Sequence, residues 1–286
     1  MLNSDNADQV QRFSFDETDL RGVITQLNQT FTDVKNRHQY PDWIIQPLGE
    51  LMAGAAILGT NLKFAGRLTL QVRMASGPAS LLQAEVDEQG RLRAIARYDE
   101  TLNEETELVL DNGQLVITIE PEQGQRYQGI TAIEGGHIGA ALQGYFEQSE
   151  QLASRFWLFC DGSQAVGLML QKLPTSGKAD EQAWERITML GSTVKADELL
   201  TLSFADVLHR LFHEELLRVY PEQSLQFYCS CSHPRIGKAL KQLGKEELNS
   251  IISEQNAIEI QCEFCLQDYI FNQVDVDALF SDRPVH

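Results

Sequence analysis

Hydrophobic and polar positions alternate with a period of two along several segments between residues 67 and 173. In residues 67–74, Leu68, Leu70, Val72 and Met74 alternate with polar side chains, as expected of a strand with one buried face. Further strands are predicted at residues 91–98, 114–120, 128–133, 155–160 and 166–173. Successive strands with few helices between them indicate an α+β domain with a largely antiparallel sheet.

Two segments of this region have helical spacing instead. In residues 40–64 the apolar side chains recur three or four positions apart, and Pro47 suits the first turn of a helix. Residues 137–152 show the same periodicity through Ile138 and Leu142. We therefore expect helices packed against the sheet of an N-terminal core.

The pattern changes after residues 174–180, where Pro, Ser, Gly and Lys occur together and indicate a boundary. Residues 181 to about 224 have no β pattern and are predicted to be helical. An apolar stripe follows the capping residue Ser203 and comprises Phe204, Leu208, Leu211 and Phe212. Because this stripe needs a neighbouring surface, we predict a core domain at 1–177, an amphipathic linker region at 178–224 and a small C-terminal domain at 225–286.

Composition and charge narrow the class of protein. The chain has 286 residues, 43% of them hydrophobic, which excludes wholesale disorder. Its net charge is 23 − 41 = −18, so phosphate backbones and anionic membranes are poor partners. The N-terminal residues carry no signal-peptide pattern, and the apolar stretch at 51–59 is far shorter than the ~20 residues of a membrane span. We expect a soluble cytoplasmic protein.

Four of the five cysteines lie in the C-terminal domain, as the pairs Cys229–Cys231 and Cys262–Cys265. An odd count with this clustering does not suit a secreted disulfide framework. Two close thiol pairs from distant segments match a tetrahedral Zn²⁺ site. A block of this size has a marginal core, and structural zinc supplies ~10–16 kcal/mol in small domains. We therefore predict one zinc ion, whose loss unfolds the block.

The chemistry of such a site leaves two roles open. Four thiolates close the coordination sphere, so zinc catalysis is disfavoured. Thiolates are also oxidisable, and an oxidised pair no longer binds zinc. The spacing of the cysteines does not distinguish a structural zinc site from a redox switch.

Other candidate residues are interpreted more simply. Cys160 ends an apolar strand pattern and is expected to be a buried, inert thiol. His209 and His213 lack the glutamate of a zinc-protease helix, and His233 is not needed beside four thiols. The segment Ser176–Lys178 lacks the remaining residues of a phosphate loop. Five arginines lie on predicted strands, and we interpret them as a solvated sheet face, with contact to an anion or to another protein as the alternative. They are Arg67, Arg73, Arg91, Arg93 and Arg97.

Over nearly its whole length the sequence resembles the bacterial redox-regulated heat-shock chaperones, the 33 kDa chaperonin or heat-shock protein 33 family. The resemblance includes residues 40–72, the Gly77–Pro78 pair and residues 126–152. The C-S-C and C-E-F-C pairs are its most specific part.

The resemblance implies an ATP-independent holdase rather than an enzyme. In such proteins the four cysteines bind zinc in the reduced, inactive state. Under oxidative stress zinc leaves and neighbouring cysteines form disulfides, which here would be Cys229–Cys231 and Cys262–Cys265. The linker then unfolds, and the protein dimerises and holds unfolding client proteins.

Two alternatives belong to other classes. A thiol–disulfide oxidoreductase would use Cys262 and Cys265, although this pair is predicted in a hairpin rather than at a strand-to-helix turn. A nucleic-acid-binding zinc ribbon is disfavoured because residues 229–286 have 5 basic and 9 acidic residues, a net charge of 5 − 9 = −4.

Overall fold

Two β-sheets and a hairpin organise the chain, which a computed structural model describes over residues 8–62, 65–174 and 182–281. The strands of these residues, in chain order, are β1 (Gln9–Phe15), β2 (Leu20–Leu27), β3 (Gly66–Arg73), β4 (Ala79–Asp87), β5 (Arg91–Tyr98), β6 (Gln114–Pro121), β7 (Tyr127–Ala132), β8 (Ser154–Cys160), β9 (Ala165–Lys172), β10 (Leu217–Val219), β11 (Gln223–Ser224), β12 (Gln226–Phe227), β13 (Ile258–Gln261) and β14 (Asp268–Phe271).

The helices of the same residues are α1 (Gln29–His38), α2 (Asp42–Gly59), α3 (Ile138–Tyr145), α4 (Ala183–Gly191), α5 (Ala196–Thr201), α6 (Phe204–Phe212), α7 (His233–Leu240), α8 (Lys245–Gln255) and α9 (Gln273–Phe280). A π-helical turn at Phe146–Glu150 continues α3, and a 3₁₀ turn follows α7 at Lys241–Leu243. The chain divides into two units, one ending at Tyr228 and one starting at Cys229.

The first unit contains both six-stranded sheets. Sheet one has the order β10-β1-β2-β9-β8, with β11 also paired to β1. Sheet two has the order β12-β5-β4-β3-β6-β7, and its strands pair antiparallel except for β12 on β5. The α+β class with a largely antiparallel sheet is confirmed.

Helix α2 forms the centre of this unit and contacts strands of both sheets. Its sequence is apolar on nearly every side, as expected of a helix buried all round. Residues Leu48, Leu51 and Met52 are completely buried. Pro47 lies one turn into the helix, slightly later than the first turn expected from the sequence.

The apolar stripe of α6 packs on sheet one together with α4 and α5. Phe212 is 1% exposed, and its ring meets that of Phe15 edge-on with centroids 5.1 Å apart. The neighbour that the stripe requires is thus sheet one itself. Residues 217–224 differ from the helical expectation, because β10 and β11 pair with the edge of β1. Strands of two or three residues are too short to show an alternation in the sequence.

The three-part division into 1–177, 178–224 and 225–286 remains a prediction. Its first boundary and the segment Ser176–Lys178 lie outside the described residues. In the described part of the chain, helices α4, α5 and α6 share an apolar cluster with sheet one.

The second unit surrounds a small core of its own. The hairpin β13–β14 and helices α7, α8 and α9 contribute its buried side chains, which are Leu240, Leu248, Ile252, Ile258, Phe271 and Val276. Six buried apolar residues are few for an independent domain, so a further constraint is expected to hold this unit together.

Among the described residues no helix is both long and apolar enough to cross a bilayer.

Candidate metal centre

The first cysteine pair lies in the extended segment that leads into α7. Ser232 is the N-cap of this helix and its hydroxyl accepts the backbone N–H of Arg235, while Pro234 occupies the first turn. The Arg235 guanidinium also donates to the hydroxyl of Ser230, between the two cysteines. Cap and arginine together fix the backbone that presents Cys229 and Cys231.

The second pair lies in the loop of the β13–β14 hairpin. The backbone N–H of Cys262 donates to Gln267 O over 2.9 Å, and that of Leu266 donates to Cys262 O over 2.8 Å. Leu266 adopts a left-handed conformation with φ of 59°. These bonds close a tight loop in which Cys262 and Cys265 point to one side.

The four sulfur atoms come together within 4.8 Å of one another. The Sγ atoms of Cys229 and Cys262 are 3.6 Å apart, and those of Cys231 and Cys265 are 3.3 Å apart. Sulfurs about 2.3 Å from a tetrahedral zinc ion would be about 3.8 Å from each other. The donor set and its spacing therefore fit a four-coordinate metal ion that prefers thiolates.

The four thiols lie so close together that neighbouring thiols shift the pKa of Cys231 and that of Cys265. Burial opposes ionisation of Cys231, but hydrogen bonds from Tyr269 and from neighbouring thiols outweigh it and lower its pKa to about 7. Burial, and then the neighbouring cysteines, raise the pKa of Cys265. The surroundings thus favour the thiolate at Cys231 and the thiol at Cys265, and a bound cation would favour the thiolate at every ligand.

The comparisons with known proteins agree with this geometry. The family model described as Hsp33 protein matches residues 8–272 of the chain. The chain belongs to the Hsp33 family.

Curated relatives extend the match over almost the full length. The 33 kDa chaperonin of Pseudomonas syringae pv. syringae is 44% identical over 288 residues, covering 98% of this chain and 96% of the relative. That of Pseudomonas fluorescens is 42% identical over 293 residues, covering 100% of this chain and 97% of the relative. The chain is therefore an Hsp33-type chaperone.

A solved structure shares the fold. The crystal structure of the 33 kDa chaperonin (heat shock protein 33 homolog) from Thermotoga maritima matches with a TM-score of 0.81 at 21% identity. The match covers 96% of this chain and 97% of that one. The resemblance seen in the sequence is thus confirmed at the level of the Hsp33 family and its fold.

Among the described residues, no histidine belongs to the group of potential metal ligands that the four cysteines form. His233 stacks on Phe271 with ring centroids 4.0 Å apart, and its Nε2 is 3.2 Å from Ile270 O. His209 and His213 are neighbours on the exposed side of α6, with centroids 5.8 Å apart. Within the described residues, the four cysteines form the only group of three or more potential metal ligands.

The predicted arginine row lies on the outer face of sheet two. Arg67 and Arg93 both approach Glu85, at 3.5 and 2.6 Å, and Arg91 binds Asp87 at 2.6 Å. Carboxylates on β4 therefore neutralise much of this row. The face is only partly solvated, because the side chains of Arg93 and Glu85 are no more than 12% exposed.

Sequence reasoning missed Tyr269. Its hydroxyl lies 3.2 Å from the Cys231 Sγ, and this hydrogen bond raises the pKa of the tyrosine to about 12. The residue follows Cys265 by four positions, so its proximity to the site was visible in the sequence. Its direction was not, because that depends on the register of the β13–β14 hairpin.

Proposed function

We propose that this Hsp33 chain is a redox-regulated, ATP-independent holdase whose reduced, zinc-bound form is inactive. The observation that carries the proposal is the convergence of four sulfurs within 4.8 Å, from two segments about thirty residues apart in sequence. Cys229, Cys231, Cys262 and Cys265 would hold the ion. Zinc supplies a tetrahedral, redox-inert centre that binds the two segments together.

Oxidation removes this constraint in the proposed mechanism. Neighbouring thiols pair as Cys229–Cys231 and Cys262–Cys265, and the sulfurs are no longer available as ligands. Disulfides within each pair leave the loop before α7 free of the β13–β14 loop. Crossed disulfides, by contrast, would keep the two segments together. Pairing between sequence neighbours is therefore the outcome that acts as a switch, and peptide mapping of the oxidised protein distinguishes the two.

The client surface in this proposal comes from residues 182–224. The apolar residues that α4, α5 and α6 bury against sheet one become exposed when these helices unfold. Such a surface binds unfolding proteins and favours dimerisation of the active form. The chain would act in this way in the bacterial cytoplasm, where thiols are reduced until oxidative stress.

The direct test is suppression of client aggregation. Light scattering of a thermally unfolding client should fall when peroxide-treated, mildly heated protein is added, and should not fall with the reduced, zinc-loaded form. A Cys160→Ser variant should behave like the wild type. The suppression of client aggregation by Cys262→Ser should not depend on peroxide as that of the wild type does. Equal scattering with reduced and oxidised wild-type protein would contradict the proposal.

An oxidoreductase function receives no support from the geometry. Cys262 and Cys265 lie in a hairpin loop, whereas a reactive pair benefits from the N-terminus of a helix, which lowers the thiol pKa. We expect no catalytic turnover in an insulin-reduction assay. For the second alternative, a nucleic-acid-binding zinc ribbon, we expect no salt-sensitive binding of tRNA in a gel shift.

A further inference from the structure

The aromatic hydroxyl beside the cysteine cluster is held by the hairpin. Tyr269 lies opposite Ile260 in the β13–β14 register, two residues before the completely buried Phe271. Alternate residues of a strand share a face, so the Tyr269 ring packs against the same core as Phe271, while Ile270 is 58% exposed. The hairpin register and the small core together therefore fix the position of the ring in the folded unit.

From this position the hydroxyl reaches one ligand atom. Its oxygen lies 3.2 Å from the Cys231 Sγ, within hydrogen-bond distance for sulfur. Cys265, in contrast, accepts the backbone N–H of Gln267. A backbone donor is present whatever the side chain, whereas the bond to Cys231 depends on a tyrosine at this position.

We infer that Tyr269 is a positioning residue of the cysteine site, whose hydroxyl fixes the Cys231 thiolate for metal binding and slows its attack on peroxide. The inference rests on the proposed redox function and adds a residue that sets the rate of the switch. Groups that hydrogen-bond to a metal ligand commonly orient it and tune its basicity.

The chemistry of peroxide oxidation explains the expected direction. A sulfur lone pair of the thiolate attacks one peroxide oxygen; the S–O bond forms, the O–O bond breaks, and hydroxide leaves a sulfenic acid behind. A second thiolate attacks this sulfur, the S–S bond forms and a second hydroxide leaves. The two sulfurs lose two electrons to the peroxide, and two protons convert the hydroxides to water. A lone pair engaged by the tyrosine proton is less available for the first step.

The test compares full-length, zinc-loaded Tyr269→Phe with the wild type. The variant keeps the ring and removes only the hydroxyl. The matched control is Tyr127→Phe, which removes the hydroxyl of a tyrosine that is 44% exposed in the first unit. Zinc release after hydrogen peroxide is followed with a chromogenic zinc indicator. We expect release from Tyr269→Phe to be about tenfold faster, in line with typical effects of such hydrogen bonds on metal sites.

A spectroscopic readout separates tuning of the sulfur from loss of structure. In the cobalt-substituted proteins, the sulfur-to-cobalt charge-transfer band of Tyr269→Phe should shift to lower energy, because the sulfur lone pair is no longer stabilised. The far-UV circular dichroism should match that of the wild type. An unchanged band together with an unchanged release rate would overturn the inference.

The outcomes also distinguish this inference from the proposed function. If wild-type protein retains its zinc under peroxide, the proposed function fails and the inference with it. If wild type and Tyr127→Phe release zinc and Tyr269→Phe releases it at the same rate, only the role of Tyr269 is contradicted.

Discussion

At the scale of single residues, the five cysteines occupy two environments. The Cys160 thiol lies beside α2, 3.7 Å from Ile45 O, where Gly49 leaves room for it. A Cβ at Gly49 would come within 2.5 Å of the sulfur. Burial raises the pKa of Cys160 to about 12, so this thiol stays protonated and is a poor nucleophile at neutral pH. It should survive oxidation that consumes the other four.

Glu50, on the same helix, carries a pH dependence of stability. Burial raises the pKa of its carboxyl from 4.5 to about 7. In the unfolded chain this carboxyl ionises near pH 4.5, so its ionisation favours the unfolded state above that pH. The contribution of Glu50 to the free energy of unfolding is therefore fully present below about pH 4.5 and is lost as the pH rises through 7. A shift of this size corresponds to at most about 3 kcal/mol.

We therefore predict that Glu50→Gln is more stable than the wild type at pH 8, by about 1–3 kcal/mol, and equal to it near pH 4. Urea denaturation at both pH values measures the difference. The exposed Glu105→Gln serves as the control and should show no such pH-dependent gain. If the difference in free energy of unfolding between Glu50→Gln and the wild type is the same at pH 4 and at pH 8, the Glu50 carboxyl is solvated and the prediction is wrong.

At the scale of secondary-structure elements, α6 depends on a few aromatic contacts with sheet one. Phe212 meets the rings of Phe13 and Phe15 at centroid distances of 6.1 and 5.1 Å. Ser203 caps the helix by accepting the backbone N–H of Asp206 over 3.2 Å. The aromatic contacts are the larger contribution, since a cap is worth about 1 kcal/mol.

We predict that Phe212→Ala lowers the free energy of unfolding of the first unit by about 3–5 kcal/mol, because it leaves a cavity among buried rings. Leu216→Ala is the matched control: Leu216 is 67% exposed, and its loss should cost no more than about 0.5 kcal/mol. Chemical denaturation of the reduced, zinc-loaded proteins measures both. Equal losses in the two variants would show that α6 is not held by this packing.

The sequence predicted some of the elements that have several turns or regular alternation, whereas β1, β2, β4 and α1 were not predicted. Strands β3, β5, β6, β8 and β9 and helices α2 and α6 appear close to their predicted positions. Strand β12 has two residues and pairs parallel with β5 through Gln226 and Phe227, so it depends on distant backbone rather than on local pattern.

The same contrast between local sequence pattern and long-range contact applies to the candidate site. The two cysteine pairs and the hairpin around Cys262 and Cys265 were predictable from their spacing. The crossed proximity of Cys229 to Cys262 and of Cys231 to Cys265 was not, because it depends on how the loop before α7 meets the hairpin. The Tyr269 hydroxyl belongs to this second group.

At the scale of the whole molecule, the net charge bears on solubility and the proposed metal ion bears on the folding of the second unit. The net charge of −18 disfavours phosphate backbones, and in the proposed function it would keep the chain in solution while apolar surface is exposed. In the proposed mechanism a metal ion would instead support the small second unit, whose core has six buried apolar side chains.

Chelation should therefore unfold the second unit selectively. After EDTA treatment of reduced protein, we expect amide protection to be lost in α7, α8 and the β13–β14 hairpin while β2 and β9 stay protected. Hydrogen exchange with mass spectrometry resolves the two units. Cys262→Ser should show the same loss without chelator and Cys160→Ser should match the wild type. Protection in the second unit that survives complete metal removal would contradict this prediction.

The most direct test of the redox account is the zinc content and free-thiol count of one preparation before and after peroxide with mild heating. The reduced protein should contain one zinc ion and five free thiols. After oxidation it should contain no zinc and one free thiol, identified as Cys160 by alkylation and peptide mapping. Zinc that stays bound, or four thiols that remain free when it leaves, would contradict the account.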